Sequence, residues 1–424
     1  METQEVFGIS PDVREASYVD RGDLDSKLSR ELRRSNHVAI RGPSKSGKSW
    51  LRQKVIGDPI VVQCRLNKSF LDIYVDALSQ LGINLVLNES RSRSLKGSLS
   101  ASADGGSSLL ARVGLQFKTE GKREEISEKQ PIGHDIDDLK YIADLIKESG
   151  RRLIIEDFHY LSTEERTRFA YDLKTLWDYG CFVIIIGVWT ETNLLLHLNN
   201  DLTGRVSELS IAWSSEELKK IINKGSEILN IRFESKTQEK LVEIAYSNAG
   251  VLQKLTLLTL DEAGIEESAM EVQSVAREET VEAAAMEYCE QLNPAYQQFL
   301  RRISKGIRER KNSTGIYAYA MATIIEASDE ELLTGLDAKA IHARAHARQP
   351  RIQLGNLKAI LEKIPELQVD EDGRGLILTY NDGTEQVSVV DRQLLLYRRF
   401  ATVKWPWEDL IAEADNQGGA LEAD

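Results

Sequence analysis

Residues 42–49 read Gly-Pro-Ser-Lys-Ser-Gly-Lys-Ser, the spacing G-x-x-x-x-G-K-S. The residues before it, His37-Val38-Ala39-Ile40 and then Arg41, form a short apolar run that reads as a strand. Those after it, Trp50 to Val55, read as a helix. A strand, a glycine-flanked turn and a helix start together make an anion cradle. Gly42 and Gly47 let the backbone turn and approach a ligand, because no Cβ blocks the way. Pro43, Ser44, Lys45 and Ser46 form the arc between them. Amide N–H groups then point inward, and the helix N-terminus adds partial positive charge. In this pattern Lys48 reaches the β- and γ-phosphates of a nucleotide, and the Ser49 hydroxyl holds Mg²⁺. The competing reading is a Gly/Ser-rich surface turn.

The sequence then says what surrounds the loop. A chain of 424 residues suggests two or three domains. A net charge of −13 argues against a wholesale nucleic-acid coat, though not against one local basic face. No apolar run approaches the ~18–20 residues that span a bilayer, so no membrane association is expected. The first residues lack the basic and apolar regions of a signal peptide. Cys64, Cys181 and Cys289 are scattered, and the first two lie in apolar runs. Buried free thiols in a cytoplasmic protein are the expectation.

Continuous apolar runs at 37–41, 60–65, 152–156, 182–187 and 208–212 read as parallel strands covered on both faces. Helical patterns at 69–82, 137–149 and 163–179 separate them. Ser162 to Glu165 and Ser214 to Glu217 each read as a capping box. The fold class is therefore α/β, a parallel P-loop sheet with a helical lid and a C-terminal helical, winged-helix-like domain. Expected boundaries are 1–213 for the nucleotide-binding core, 214–290 for the lid, 291–410 for the winged-helix-like domain and 411–424 for a frayed tail. Residues 88–132, rich in Ser, Gly, Arg and Lys, read as an insertion, with a hairpin near Leu109 to Phe117. The C-terminal pattern after 366 reads as short strands joined by Gly turns.

The third strand ends in Glu156-Asp157. Carboxylates at this edge of a parallel sheet face the crevice of the phosphate loop. Glu156 is the metal-side residue and Asp157 the candidate base that polarises water. Thr190, after the fourth strand, is the candidate γ-phosphate sensor. Arg205, just before the fifth strand, is the candidate finger that reaches a neighbouring subunit's phosphate, with an ion pair to Asp201 as the alternative.

In this order the residues resemble P-loop ATPases of the AAA+/STAND kind, over roughly residues 10–265. The resemblance implies that Tyr18 to Arg21 lie beside the base and ribose, which makes Tyr18 and Arg21 nucleotide-binding candidates. It implies ATP and Mg²⁺ as ligands, a homo-oligomer and a protein partner. The lid motif Asn248-Ala-Gly250-Val-Leu-Gln-Lys-Leu255 looks like the G-x-P-x-x-L of STAND proteins, with Leu252 where the motif has Pro. Where AAA+ proteins carry a sensor Arg, this chain has Gln253 and Lys254. A lid followed by a winged helix also looks like origin-recognition and transposition ATPases.

Beyond the lid, His342 and His346 stand one helical turn apart, but no further ligand completes a zinc set. Residues 301–351 hold ten Lys/Arg and six Asp/Glu, a surplus of four basic groups where DNA contact is conceivable. Three readings stay open: an oligomeric ATP-hydrolysing switch with a protein partner, in defence or signalling by analogy; a DNA-binding ATPase; and a scaffold that holds ATP without hydrolysis.

Overall fold

Five apolar runs pair into one parallel sheet. In chain order the strands of this half of the fold are β1 (His37–Arg41), β2 (Ile60–Gln63), β3 (Ile83–Leu87), β4 (Gly97–Ala101), β5 (Leu153–Glu156), β6 (Ile184–Gly187) and β7 (Val206–Ser210). The computed structural model describes residues 1–65, 68–87, 97–101, 108–109, 111–113, 138–189, 192–306, 314–368 and 376–419. The chain divides into two compact units. A sheet unit comprises Gly22–Gly42 and Lys48–Ile211; a helical unit comprises Met1–Arg21, Pro43–Gly47 and Ala212–Asp424.

In the sheet unit the strand order is β2-β5-β6-β1-β7, and every pair is parallel. Continuous apolar strands follow from cover on both faces. Val38, Ile40, Ile154, Ile184 and Ile186 pack with Leu24, Leu28 and Leu51 on one side. Ala39, Leu153, Ile155 and Ile185 pack with Phe158, Phe169 and Leu173 on the other. Each fully buried Ile or Val contributes about 1.5–3 kcal/mol. The chain leaves β1 for the far edge at β2 and returns through β5 and β6. β1 therefore sits where the winding changes direction, which is where α/β sheets bind ligands at their strand C-termini.

The helical unit holds the Ser215–Leu229, Ser235–Ile244, Ala249–Glu262 and Glu278–Lys305 helices, with β8 (Ile231–Phe233) parallel to β9 (Gln273–Val275). Then come the Ile316–Glu326 helix, the Asp329–Thr334 helix, β10 (Leu336–Asp337), the Ala338–Arg348 and Leu354–Leu361 helices, β11 (Leu378–Asn381) and β12 (Gln386–Val389). β10, β12 and β11 form an antiparallel sheet in that order. The N-terminal segment belongs to this unit: an added Cβ at Gly225 would fall 2.2 Å from the Phe7 ring, so helix and ring meet at backbone distance.

Four expectations are corrected. The antiparallel pair in the insertion is β3 with β4. Residues 108–109 and 111–113 are helical, with Leu109 and Val113 buried, and 114–117 lie outside the described residues, as does most of 88–132. The helical patterns at 278–291 and 295–309, which read as separate across Pro294, form one helix. Glu278–Lys305 runs through the proline unbroken, across the expected boundary at 290, because the ring lies on the exposed side where water can serve the freed carbonyl. Leu367 and Gln368 end the Ile364–Gln368 helix rather than start a strand, and 369–375 lie outside the described residues. The expected frayed tail is helical as far as Gly419, its start held by Pro406 and the buried Trp407.

Candidate nucleotide-binding site

At the C-terminal edge of the sheet, β1 runs into the loop and β5 into the carboxylate pair. Lys48 opens the Lys48–Val55 helix and is buried, and its Nζ donates to the Gly42 carbonyl at 3.0 Å. The ammonium thus rests on the loop's own first residue. Glu156 is 5% exposed and accepts from Arg52 Nε at 2.9 Å. Arg52 lies one turn along the helix that Lys48 opens, and sequence reading missed it; a basic residue four places after the loop lysine was the available signal. Asp157 follows with φ +57, a left-handed conformation that Asp tolerates better than most residues. Burial pushes its carboxyl above the ordinary range and Glu156 adds to this, while Lys48 pulls it back down. His159, also missed, is held neutral with a pKa of about 3, first by burial, then by Lys48 and Arg166. Its Nδ1 accepts from the Val188 N–H at 3.3 Å, which leaves the proton on Nε2. Its only sequence signal is a titratable residue two places beyond the carboxylates.

The arc of the loop is built with helical-unit residues. Lys45 has φ +59 and Gly47 φ +88. Ser46 N–H closes a turn onto the Pro43 carbonyl at 3.3 Å. Three successive carbonyls of the arc accept hydrogen bonds. Asn248 Nδ2 donates to Ser44 at 2.7 Å, the Gly250 N–H to Lys45 at 2.9 Å and Trp213 Nε1 to Ser46 at 2.9 Å. Arg21 is buried with its guanidinium 4.2 Å over the Trp213 ring, and an added Cβ at Gly47 would lie 3.5 Å from it. Tyr18 is buried nearby in sequence, its carbonyl accepting from Lys224 at 2.7 Å. Gln253 turns elsewhere: it donates to Ser17 Oγ at 2.9 Å and accepts from the Gly8 N–H at 3.3 Å, so it ties down the N-terminal segment.

The donor set suits a triphosphate. It offers a buried ammonium at a helix start and the buried Ser46 hydroxyl, which has no hydrogen-bond partner among the described residues. The exposed Ser49 hydroxyl suits a hard cation such as Mg²⁺.

The other described candidates have partners of their own. Thr190 is outside the described residues. Arg205 lies 4.8 Å over the Trp177 ring and bonds the Asp201 backbone carbonyl rather than its carboxylate. In the 301–351 stretch, Arg344 pairs with Glu331 and Arg348 with Glu326, while 307–313 lie outside the described residues. His342 and His346 both bond the Ile352 carbonyl, at 3.1 and 2.9 Å, which gives their spacing a structural use. No group of three metal-ligating side chains occurs among the described residues, and none of their helices is long and apolar enough to cross a membrane.

No protein-family model matches the sequence, and no curated protein matches it. Solved structures do. The Aeropyrum pernix Orc1 protein in complex with DNA aligns at 11% identity over 96% of this chain and 95% of its own, with a TM-score of 0.40. A Pyrococcus horikoshii STAND protein with a tetratricopeptide repeat sensor aligns at 13% identity over 97% of this chain but 45% of its own, with a TM-score of 0.38. The Thermotoga maritima RuvB branch migration motor aligns at 13% identity over 87% of this chain and 89% of its own, with a TM-score of 0.36. The parallel sheet, the glycine-flanked loop after β1 and the carboxylates at the end of β5 make this an α/β chain of the P-loop fold.

Proposed function

We propose that the chain binds ATP through residues 42–49 and hydrolyses it slowly, as a switch that acts in an oligomer and on a protein partner. The observation that carries this is Lys48, a buried ammonium held at the start of a helix on a glycine-flanked loop. An ammonium beside the amides of a helix start is a donor set that a triphosphate suits. Arg21 beside Gly47 supports a nucleotide rather than a free phosphate. Mg²⁺ would be held by Ser49 and, through water, by Glu156, and would neutralise charge on the phosphate oxygens.

The chain's own groups then have separate tasks. Lys48 exchanges the Gly42 carbonyl for phosphate oxygens. Asp157, less acidic than an ordinary carboxyl, orients the attacking water and takes its proton. His159, neutral with Nε2–H free to donate, is a second polar group beside Lys48. Glu156 is shared with Arg52, which supports slow turnover. The DNA-binding reading is weakened by the pairing of Arg344 and Arg348 with acidic side chains.

Calorimetry with ATP and Mg²⁺ tests the proposal. The native chain takes up ATP, and Lys48→Ala weakens binding about ten- to hundredfold, the loss of one charge-assisted hydrogen bond. No uptake of ATP or GTP by the native chain overturns it.

A further inference from the structure

The arc of the phosphate loop is held by its carbonyls, and we propose that this hold is a latch set from the C-terminal segment. The inference rests on the reading of residues 42–49 as a nucleotide site. In a trans peptide the C=O and the following N–H point opposite ways. Donors that pull the Ser44, Lys45 and Ser46 carbonyls to one side therefore turn the following N–H groups to the other: those of Lys45 and Gly47 are left to face a ligand, and that of Ser46 closes onto the Pro43 carbonyl. Asn248, Gly250 and Trp213 supply those donors. They preset the amide directions that phosphate oxygens need, so less ordering is left to the moment of binding.

Two details argue that the geometry is specific. An added Cβ at Gly250 would stand 2.6 Å from Lys45 Cβ and 2.7 Å from the Lys45 carbonyl, so only glycine lets this amide reach the arc. Asn248 uses both ends of its side chain. Its Oδ1 caps the Ala249–Glu262 helix by accepting from the Gly250 and Val251 N–H groups, while its Nδ2 goes to the loop.

The latch is braced from further along the chain. Tyr246 and Ser247, just before Asn248, are both left-handed, with φ +50 and +54. Such backbone persists only where its surroundings over-determine it. Here Arg392, ahead of the Gln393–Phe400 helix, donates Nη1 to the Tyr246 carbonyl at 2.7 Å and the Ser247 carbonyl at 3.1 Å. A partner that moved the Arg392 segment would loosen the turn, then Asn248, then the loop. Asn248 and Arg392 are positioning residues in this account, and the lid acts on the loop through carbonyls rather than through a sensor arginine.

Asn248→Asp separates latch from cap. The acceptor that caps the helix is kept, and the donor to Ser44 is replaced by an oxygen that faces that carbonyl. Hydrogen exchange of the loop peptide in nucleotide-free protein, and nucleotide affinity by fluorescence titration, are measured for the native chain, Asn248→Asp, Arg392→Gln and the double variant. The latch predicts faster loop exchange in both single variants, with exchange in the capped Ala249–Glu262 helix unchanged. It predicts about tenfold weaker nucleotide binding in each, and a double variant little worse than either. Native-like loop exchange in Asn248→Asp overturns the proposal, as does full additivity of the two substitutions. If the native chain takes up no nucleotide while the exchange pattern holds, the nucleotide reading fails and the latch stands.

Discussion

Asp157 is under tension from two directions. Its backbone is left-handed, and its carboxyl is harder to ionise than usual because it is buried beside Glu156. The folded chain therefore holds the proton at higher pH than the unfolded chain does. By linkage, stability falls as pH rises from the unfolded pKa through the folded one, and the cost remains in full above it. Asp157→Asn removes that cost. At pH 7 its melting temperature should lie above the native value, with the gap closing as pH is lowered through the carboxylate range. Phosphate release should fall about 10²- to 10⁴-fold, the usual worth of a general base. Calorimetric melts and a phosphate assay on the same preparations check both. The placement of Lys48 and Ser49 at a helix start and of Glu156–Asp157 at the end of β5 was legible in the sequence, because residue type and spacing there follow the strand–loop–helix pattern. Arg52 and His159 were not, since neither is marked until β5, β6 and the Lys48–Val55 helix bring them to Glu156 and Val188.

Among elements, two glycines make a controlled pair. Gly250 and Gly225 both lie in helices, and a Cβ at either would meet atoms closer than 3.0 Å. Gly225→Ala should destabilise by about 1–3 kcal/mol through overpacking against Phe7 and leave nucleotide affinity intact. Gly250→Ala should cost a similar amount and weaken nucleotide binding as well, because its clash is with the loop. Denaturant melts and nucleotide titrations separate the two. The helices themselves were legible from capping signals: Ser162 and Ser214 both accept from the backbone three residues on. The continuity of Glu278–Lys305 was not, because Pro294 ordinarily marks an end and only its exposure explains why it does not.

At the level of the whole molecule, the sheet was readable from its five apolar runs, but the division into units was not. The phosphate loop falls in both, with its arc in one unit and its two ends in the other, and no local pattern announces that. Charge counting does not show which basic side chains are paired. In 301–351, Arg344 and Arg348 pair with Glu331 and Glu326, which the surplus of four already counts. These exposed pairs are screened by solvent and contribute little to stability. Glu326→Gln with Glu331→Gln should therefore barely shift the melting temperature. It should strengthen salt-dependent retention on duplex DNA relative to the native chain, and identical retention would show that this face does not meet phosphate. The Glu278–Lys305 helix has a practical consequence for anyone dissecting the protein. Cys289 lies within it, its thiol pushed up to about 12 by burial and its sulfur 3.6 Å from the Leu396 carbonyl. A fragment stopped at 290 would strip that cover away. Iodoacetamide should label such a fragment at Cys289 and spare the same residue in the intact chain.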